Sequence, residues 1–203
     1  MDVVTHAVEA YTSLPASDFT DAVAEKAVQL CFAYLPRAHA DGSDMEAREH
    51  MHNASCLAAI AFENAGLGVT HSLAHALGGM FDLPHGRLNA ILLPHVVAFN
   101  SGGLSFSPQQ LSEPARRYAH LAHLLGLPAS TPRNLVLALV DGLRHLNRTI
   151  GIPATVSGLG VPKGDFLECI PTLVETALAD PCTATNPRAA DAAALAGLLR
   201  QVA

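Results

Sequence analysis

HSLAHALGGMFDLPHG, the segment from His71 to Gly86, places three histidines in an apolar stretch that glycines interrupt. His71 and His75 are four residues apart, so a helix carries both imidazoles on one face. His85 follows a Gly-Gly pair and a proline, which are residues that let a chain turn back on itself. The segment therefore predicts a helix that begins near residue 69 and three imidazoles that share one pocket.

The first residues of the chain offer a second pair of metal-binding side chains. Asp2 and His6 also have the i,i+4 spacing that puts two side chains on one helix face. One carboxylate with three imidazoles suits Zn²⁺ or Fe²⁺, and the lack of cysteine in the set disfavours a purely structural zinc site. Burying imidazoles without partners is costly, and a bound cation offsets that cost. Spacing alone leaves open whether His71 or His75 is the ligand.

Hydrophobic periodicity predicts helices along nearly the whole chain. A turn with an N-cap is predicted at Asp41–Asp44, a loop at Ser101–Pro114, and the cap of a last helix at Asn186–Arg188. No segment alternates long enough to predict a strand. We therefore predict an all-α fold with one domain, residues 1–203, and no repeat or linker. The other predicted helices are 17–39, Met45–Phe62, one from about Val69, Leu88–Phe99 with Pro94 inside it, Ala115–Leu125, Arg133–Ile150 and Lys163–Leu178.

Composition limits the possible partners and compartments. Of the 203 residues, 50% are hydrophobic and 15% are charged, which is typical of a compact globular protein. A net charge of −6 argues against nucleic acid, because phosphate binding needs a basic surface. The apolar runs end well before the ~20 residues that a bilayer span requires. The chain opens with no export signal, and its four cysteines form no Cys-x-x-Cys, so we expect reduced thiols and a cytoplasmic protein.

The remaining polar residues are given structural interpretations. For His95 we favour a core position over one that borders the pocket. We expect Glu9 at an exposed helix position rather than beside the metal site, and Cys182 as an inert thiol. The other histidines are expected to be solvated; they are His39, His50, His52, His120, His123 and His145.

Several motifs resemble the metal-binding domain of the iron-containing (group III) alcohol dehydrogenases. They are DVVTHAVEAY at Asp2–Tyr11, the run from Gly66 to Gly79, its continuation from Pro84 to His95, and ADPCTATNPR at Ala179–Arg188. Shorter matches at 41–48 and 52–55 extend the resemblance over nearly the whole chain. Within the family, the chain is most similar to the ethanolamine- and propanediol-utilisation type, whose members include microcompartment-associated enzymes.

The resemblance implies a role for each candidate residue. It places the metal ligands at Asp2, His6, His71 and His85. His75 then is not a ligand but faces the substrate and cofactor as a catalytic residue. The implied fold is the helical C-terminal domain of the dehydroquinate synthase-like/iron alcohol dehydrogenase fold. The N-terminal α/β domain that binds the nucleotide in this family is not represented, since no Gly-rich phosphate loop is present.

The implied activity is the interconversion of a short-chain primary alcohol and its aldehyde. Fe²⁺ or Zn²⁺ serves as the Lewis acid, NAD(H) or NADP(H) is the cofactor of the full-length enzyme, and a homo-oligomer is expected. We expect the 203 residues to fold as a fragment that is inactive alone, because the dinucleotide site is missing. Asp2 is expected to be a poor ligand, since chain ends fray. The residues here do not assign a cofactor-binding site.

Two alternatives from other classes remain open. One is a helical metal-dependent hydrolase in which His71, His75 and His85 hold Zn²⁺, with Asp82 or Glu63 as the base. The other is a non-catalytic helical bundle whose metal site is vestigial. Within the oxidoreductases, maleylacetate reduction and glycerol oxidation are also open.

Overall fold

The computed structural model describes residues 1–103 and 111–203. These residues form nine α-helices, two short 3₁₀ segments at Ser157–Leu159 and Pro181–Thr185, and no strand, so the all-α prediction is confirmed for them. The helices are α1 (Asp2–Thr12), α2 (Asp18–Ala40), α3 (Met45–Ala65), α4 (Val69–Phe81), α5 (His85–Asn100), α6 (Glu113–Leu124), α7 (Pro132–Thr149), α8 (Lys163–Ala179) and α9 (Ala192–Gln201).

Polar side chains fix where several helices begin. Asp44 caps α3 as predicted, because its side chain accepts a hydrogen bond from the Ala47 N–H. The prediction that Asn186–Arg188 caps the last helix is wrong. Asp191 caps α9 instead and accepts from the Ala194 N–H at 2.8 Å. An aspartate directly before the helix serves this purpose, and the Asn186 amide is used elsewhere in the fold.

The turn between α4 and α5 lies later than the glycines suggested. Helix α4 continues through Gly78 and Gly79, and the chain turns at Asp82, which has a left-handed backbone with φ of 51°. Pro84 is the N-cap of α5, so that helix begins at His85, three residues before the predicted start. Half of the predicted loop at Ser101–Pro114, residues 104–110, lies outside the described residues, and its last two residues belong to α6.

Two hydrophobic cores meet along α5. The first is formed by α1, α2, α3, α6 and α7, and the second by α4, α5, α8 and α9. Helix α5 places Leu93 in the first core and Leu92 in the second, and both side chains are buried. The histidine-bearing helices α1 and α4 thus belong to different cores, and α5 joins them.

No helix among residues 1–103 and 111–203 has both the length and the apolar character that crossing a bilayer demands.

We predict that Phe166→Ala lowers the free energy of unfolding by about 3–5 kcal/mol, because the ring is fully buried in the second core and its loss leaves a cavity. Leu167→Ala is the matched control, since this neighbour on α8 is 40% exposed. It should change stability by less than about 1 kcal/mol. Urea unfolding followed by circular dichroism measures both, and equal effects would contradict the assignment of this core.

Candidate metal centre

Helix α1 presents two of the predicted ligands on one face. The Nδ1 atom of His6 lies 3.9 Å from Oδ2 of Asp2, one turn earlier. The His6 ring also stacks on Phe62 and on His71, with centroid distances of 4.6 Å in each pair. Phe62, which the sequence analysis did not single out, therefore helps to hold the plane of a predicted ligand.

Helices α4 and α5 bring the other two predicted ligands to the same place. His71 is 1% exposed, and its ring centroid lies 5.3 Å from that of His85. One ligand atom each from Asp2, His6 and His71 lie within 4.8 Å of one another. Nε2 of His85 lies 3.5 Å from Oδ1 of Asp2. Gly86 permits this approach, because a Cβ there would lie 3.3 Å from the Cβ of Asp2.

The amide of Asn89 lies at the point where these groups converge. Its Nδ2 is 2.7 Å from Oδ1 of Asp2, 3.1 Å from Nε2 of His71 and 3.0 Å from Nε2 of His85. An amide nitrogen has two hydrogens and cannot satisfy three acceptors at once. The other end of the amide, Oδ1, is buried without a hydrogen-bond partner. This excess of acceptors around one point fits a divalent cation.

Asn89 also anchors Asp2, which we expected to be a poor ligand because chain ends fray. The hydrogen bond from Asn89 ties the carboxylate of the first helical residue to α5. The sequence held a signal for Asn89, since it lies four residues after His85 on the same helix.

Glu9 differs most from its expected environment. We expected an exposed helix position, but the side chain is 3% exposed. Its Oε2 accepts a hydrogen bond of 2.7 Å from Nδ1 of His71, and its Oε1 accepts one of 2.7 Å from the Thr70 N–H. Burial opposes ionisation, but these hydrogen bonds outweigh it, so the pKa of Glu9 lies below its ordinary value. The residue is a buried carboxylate beside a predicted ligand.

The site favours the protonation states that metal binding requires. Burial lowers the pKa of His6 to about 4, and the neighbouring His71 adds to the effect. Burial also lowers the pKa of His85. For Asp2, burial acts in the opposite direction, but the Asn89 hydrogen bond and the nearby imidazoles leave its pKa below the ordinary value. At neutral pH, His6 and His85 are neutral and Asp2 is charged, as ligands must be.

His75 lies beside this cluster and pairs with a different acid. Its ring stacks on His85 with a centroid distance of 5.2 Å, and its side chain is 46% exposed. Its Nδ1 lies 2.8 Å from Oδ2 of Asp180. The His75 imidazole is thus held by a carboxylate and faces an open region.

The Cys182 thiol lies beside the same carboxylate. Burial and Asp180 raise its pKa to about 12, which agrees with an inert thiol.

The remaining expectations have mixed outcomes. His95 is not a core residue; it is half-buried, its Nδ1 bonds Oε1 of Gln201 at 3.0 Å, and it borders a surface cleft. Apolar neighbours in sequence suggested burial, but its side of α5 is only partly covered. Asp82 and Glu63, the bases of the hydrolase alternative, are exposed. Of the histidines expected to be solvated, His50 is half-buried and stacks on Tyr34, whereas the others are exposed; those are His39, His52, His120, His123 and His145.

Comparison with known proteins places this chain in a family. All of residues 1–203 match the C-terminal part of the Fe-containing alcohol dehydrogenase family. The chain belongs to this family. The match confirms the resemblance drawn from the sequence motifs, and the iron-type alcohol dehydrogenases are its relatives.

Individual alcohol dehydrogenases are similar over nearly the whole chain. The 1-propanol dehydrogenase PduQ of Citrobacter freundii is 46% identical over 204 residues, which cover 100% of this chain and 53% of that enzyme. The NAD-dependent methanol dehydrogenase of Bacillus methanolicus is 39% identical, over 98% of this chain and 49% of that enzyme. A crystal structure of 1,3-propanediol oxidoreductase superposes with a TM-score of 0.89 and 38% identity, covering 100% of this chain and 50% of that one. This chain thus spans about half the length of these iron-type dehydrogenases.

We predict that this chain, when free of metal, loses stability as the pH falls from about 6.5 to about 4. His6 takes up a proton near its ordinary pKa when unfolded but only near pH 4 when folded, so acid favours unfolding across that window. The contribution is about 1–3 kcal/mol. Chemical unfolding in the presence of a chelator measures it.

His6→Gln should flatten this pH dependence. His52→Gln, the same substitution at an exposed position on α3, should leave it as in the unchanged chain. A slope that is identical in all three proteins would show that His6 is not the group responsible.

Proposed function

We propose that this chain is the helical metal-binding domain, residues 1–203, of an alcohol dehydrogenase that interconverts a short-chain primary alcohol and its aldehyde with NAD(H) or NADP(H). The observation that supports it best is the convergence of Asp2, His6, His71 and His85 on one point, with more acceptors than donors there. Membership of the iron-type family provides the reaction class.

The residues fit an ion of the Fe²⁺ or Zn²⁺ type. Asp2 and His6 from α1, His71 from α4 and His85 from α5 would hold it. Three imidazoles and one carboxylate are a donor set that both ions accept, and the depressed pKa values of His6 and His85 keep these rings available. When bound, the ion supplies Lewis acidity to the oxygen of the alcohol or aldehyde.

His75 is the candidate for proton movement. The hydrogen bond from its Nδ1 to Asp180 leaves Nε2 as the free atom of a half-exposed ring beside His85. A neutral imidazole held in this way can accept a proton from an alcohol at Nε2 and return it in the reverse direction. Asp180 orients the ring and stabilises its protonated form.

We further propose that the nicotinamide cofactor binds to an α/β domain outside residues 1–203. The relatives are about twice as long as this chain, and no Gly-rich phosphate loop occurs in its sequence. The chain alone should therefore bind metal without oxidising alcohols. A homo-oligomer stays a prediction; Phe19 and Ile60, exposed on α2 and α3, are apolar groups that a second copy could cover.

Metal binding is tested first. We expect the chain to bind one equivalent of Zn²⁺, or of Fe²⁺ without oxygen, as measured by competition with a chromogenic chelator. His71→Gln and His85→Gln should each weaken binding by at least ~100-fold, beyond the range usual for groups that only surround the ligands. His52→Gln should have no effect. Full affinity in the two ligand variants would remove the basis of the proposal.

The reaction is tested in a chimera in which residues 1–203 replace the matching half of the Citrobacter 1-propanol dehydrogenase. We expect metal-dependent oxidation of 1-propanol, followed as reduction of NAD⁺ or NADP⁺. His75→Gln should lower kcat by ~10²–10⁴-fold while metal affinity is unchanged, because the imidazole moves a proton without binding the ion. Ester hydrolysis without nicotinamide would support the hydrolase alternative instead.

A further inference from the structure

Glu9 is a buried carboxylate that the proposed reaction does not use. It lies on α1, three residues or about one turn after the predicted ligand His6. Its link to the predicted ligands is the hydrogen bond with His71. Its four hydrogen-bond donors are the N–H groups of Gly68, Thr70 and His71 and Nδ1 of His71, all at the start of α4. Because both oxygens of this buried carboxylate accept hydrogen bonds from the start of another helix, we ask what these bonds do for that helix and for His71.

The first task concerns the N-terminus of α4. Oε2 of Glu9 accepts from the Gly68 N–H at 3.0 Å and the His71 N–H at 3.4 Å, and Oε1 accepts from the Thr70 N–H at 2.7 Å. The N-cap residue of α4 is Gly68, which has no side chain to offer. Glu9 therefore satisfies amides that the helix leaves unpaired, and its negative charge complements the helix dipole. Asn186 takes the remaining amide, the Val69 N–H, at 3.2 Å.

The second task concerns the tautomer of His71. A carboxylate accepts hydrogen bonds, so Nδ1 of His71, 2.7 Å from Oε2 of Glu9, must carry the proton. In the neutral ring, the electron pair is then on Nε2, the atom that faces Asn89 and the other predicted ligands. A carboxylate behind a ligating imidazole fixes the tautomer and makes the ring a stronger donor.

The two tasks join two helices whose main packing partners differ. Helix α1 packs chiefly against α2 and α3, and α4 packs chiefly against α5 and α8. Glu9 fixes α4 to α1 at the level of His71, so the distance between the ligands on the two helices depends on it. Space has been left for this contact, because a Cβ on Gly68 would lie 2.8 Å from Oε1 of Glu9.

We propose that Glu9 is a positioning residue, which holds His71 as an Nε2 ligand and sets its distance from Asp2 and His6 without touching the metal. The inference rests on the proposed function. It predicts that metal affinity depends on a carboxylate outside the ligand set.

Glu9→Gln is the direct test with the 203-residue chain. Glutamine has one acceptor oxygen where Glu9 uses two, so either orientation places an NH₂ group against a donor of α4. We expect Zn²⁺ affinity to fall ~10–100-fold while the helical circular dichroism spectrum is kept. Glu63→Gln, which removes the same charge from an exposed position on α3, should bind Zn²⁺ as the unchanged chain does. Unchanged affinity in Glu9→Gln would overturn the proposal.

A double-mutant cycle separates positioning from helix capping. In a His71→Ala background, the loss of affinity caused by Glu9→Gln should shrink to less than ~3-fold, because the ring that Glu9 orients is gone. The same loss in both backgrounds would mean that Glu9 acts only on the stability of α4, and would overturn the positioning role.

The unchanged chain provides a further measurement, for which a variant serves only to assign the signal. In ¹⁵N–¹H spectra of its histidine side chains, the His71 signal, assigned by its absence in His71→Ala, should show a proton on Nδ1 both with and without Zn²⁺. A proton on Nε2 in the metal-free chain would overturn the proposal. If the unchanged chain binds neither Zn²⁺ nor Fe²⁺, the proposed function fails, and this spectrum still decides whether Glu9 sets the tautomer.

Discussion

The structure depends on electron-pair donors from three helices being held close together at one place. One ligand atom each from Asp2, His6 and His71 lie within 4.8 Å of one another, His85 lies 3.5 Å from Asp2, and the Asn89 amide has too few hydrogens for the three acceptors beside it. Such an arrangement persists only if the surrounding fold keeps it in place. The centre is therefore the part of the molecule that the packing of the helices must support.

Support comes from both cores, and the division between them explains where the polar contacts lie. Helix α1 belongs to the first core and α4 to the second, and α5 packs into both. Buried polar side chains bridge these elements: Glu9 joins α1 to α4, Asn89 joins α5 to α1, and Asn147 of α7 donates to the Ala90 carbonyl of α5 at 2.6 Å. In a buried setting, each such bond is costly to lose, so the bridges also fix the geometry.

The sequence predicted the residue types of the site better than their surroundings. Spacing on helices was enough to pair Asp2 with His6, since that geometry is local and independent of tertiary structure. It could not place Glu9, because that side chain is buried by contacts with a segment about sixty residues away. The prediction for His95 was wrong for the same reason. Its apolar neighbours in sequence suggested a buried position, but its side of α5 is only partly covered.

Helix boundaries show a similar limit. The Asp44 cap was predictable from a side chain that bonds a nearby backbone amide. Gly78 and Gly79 were misleading, because α4 stays helical through them despite their low propensity, directly after Ala76 and Leu77 of the second core. The turn depends on Asp82 and Pro84 instead. Asn186 resembled a cap but serves the start of α4 and the end of α5, through Val69 and Asn100.

The missing side chain of Gly68 has an evolutionary consequence. A methyl group there would lie 2.8 Å from an oxygen of Glu9 and 2.8 Å from an oxygen of Asn186. Any larger residue at position 68 thus requires the side chains at positions 9 and 186, which belong to opposite ends of the chain, to shift away from their hydrogen bonds to α4 or to change. These three positions should behave as one epistatic unit, in which a tolerated replacement of the glycine arises only after its two neighbours have already become smaller.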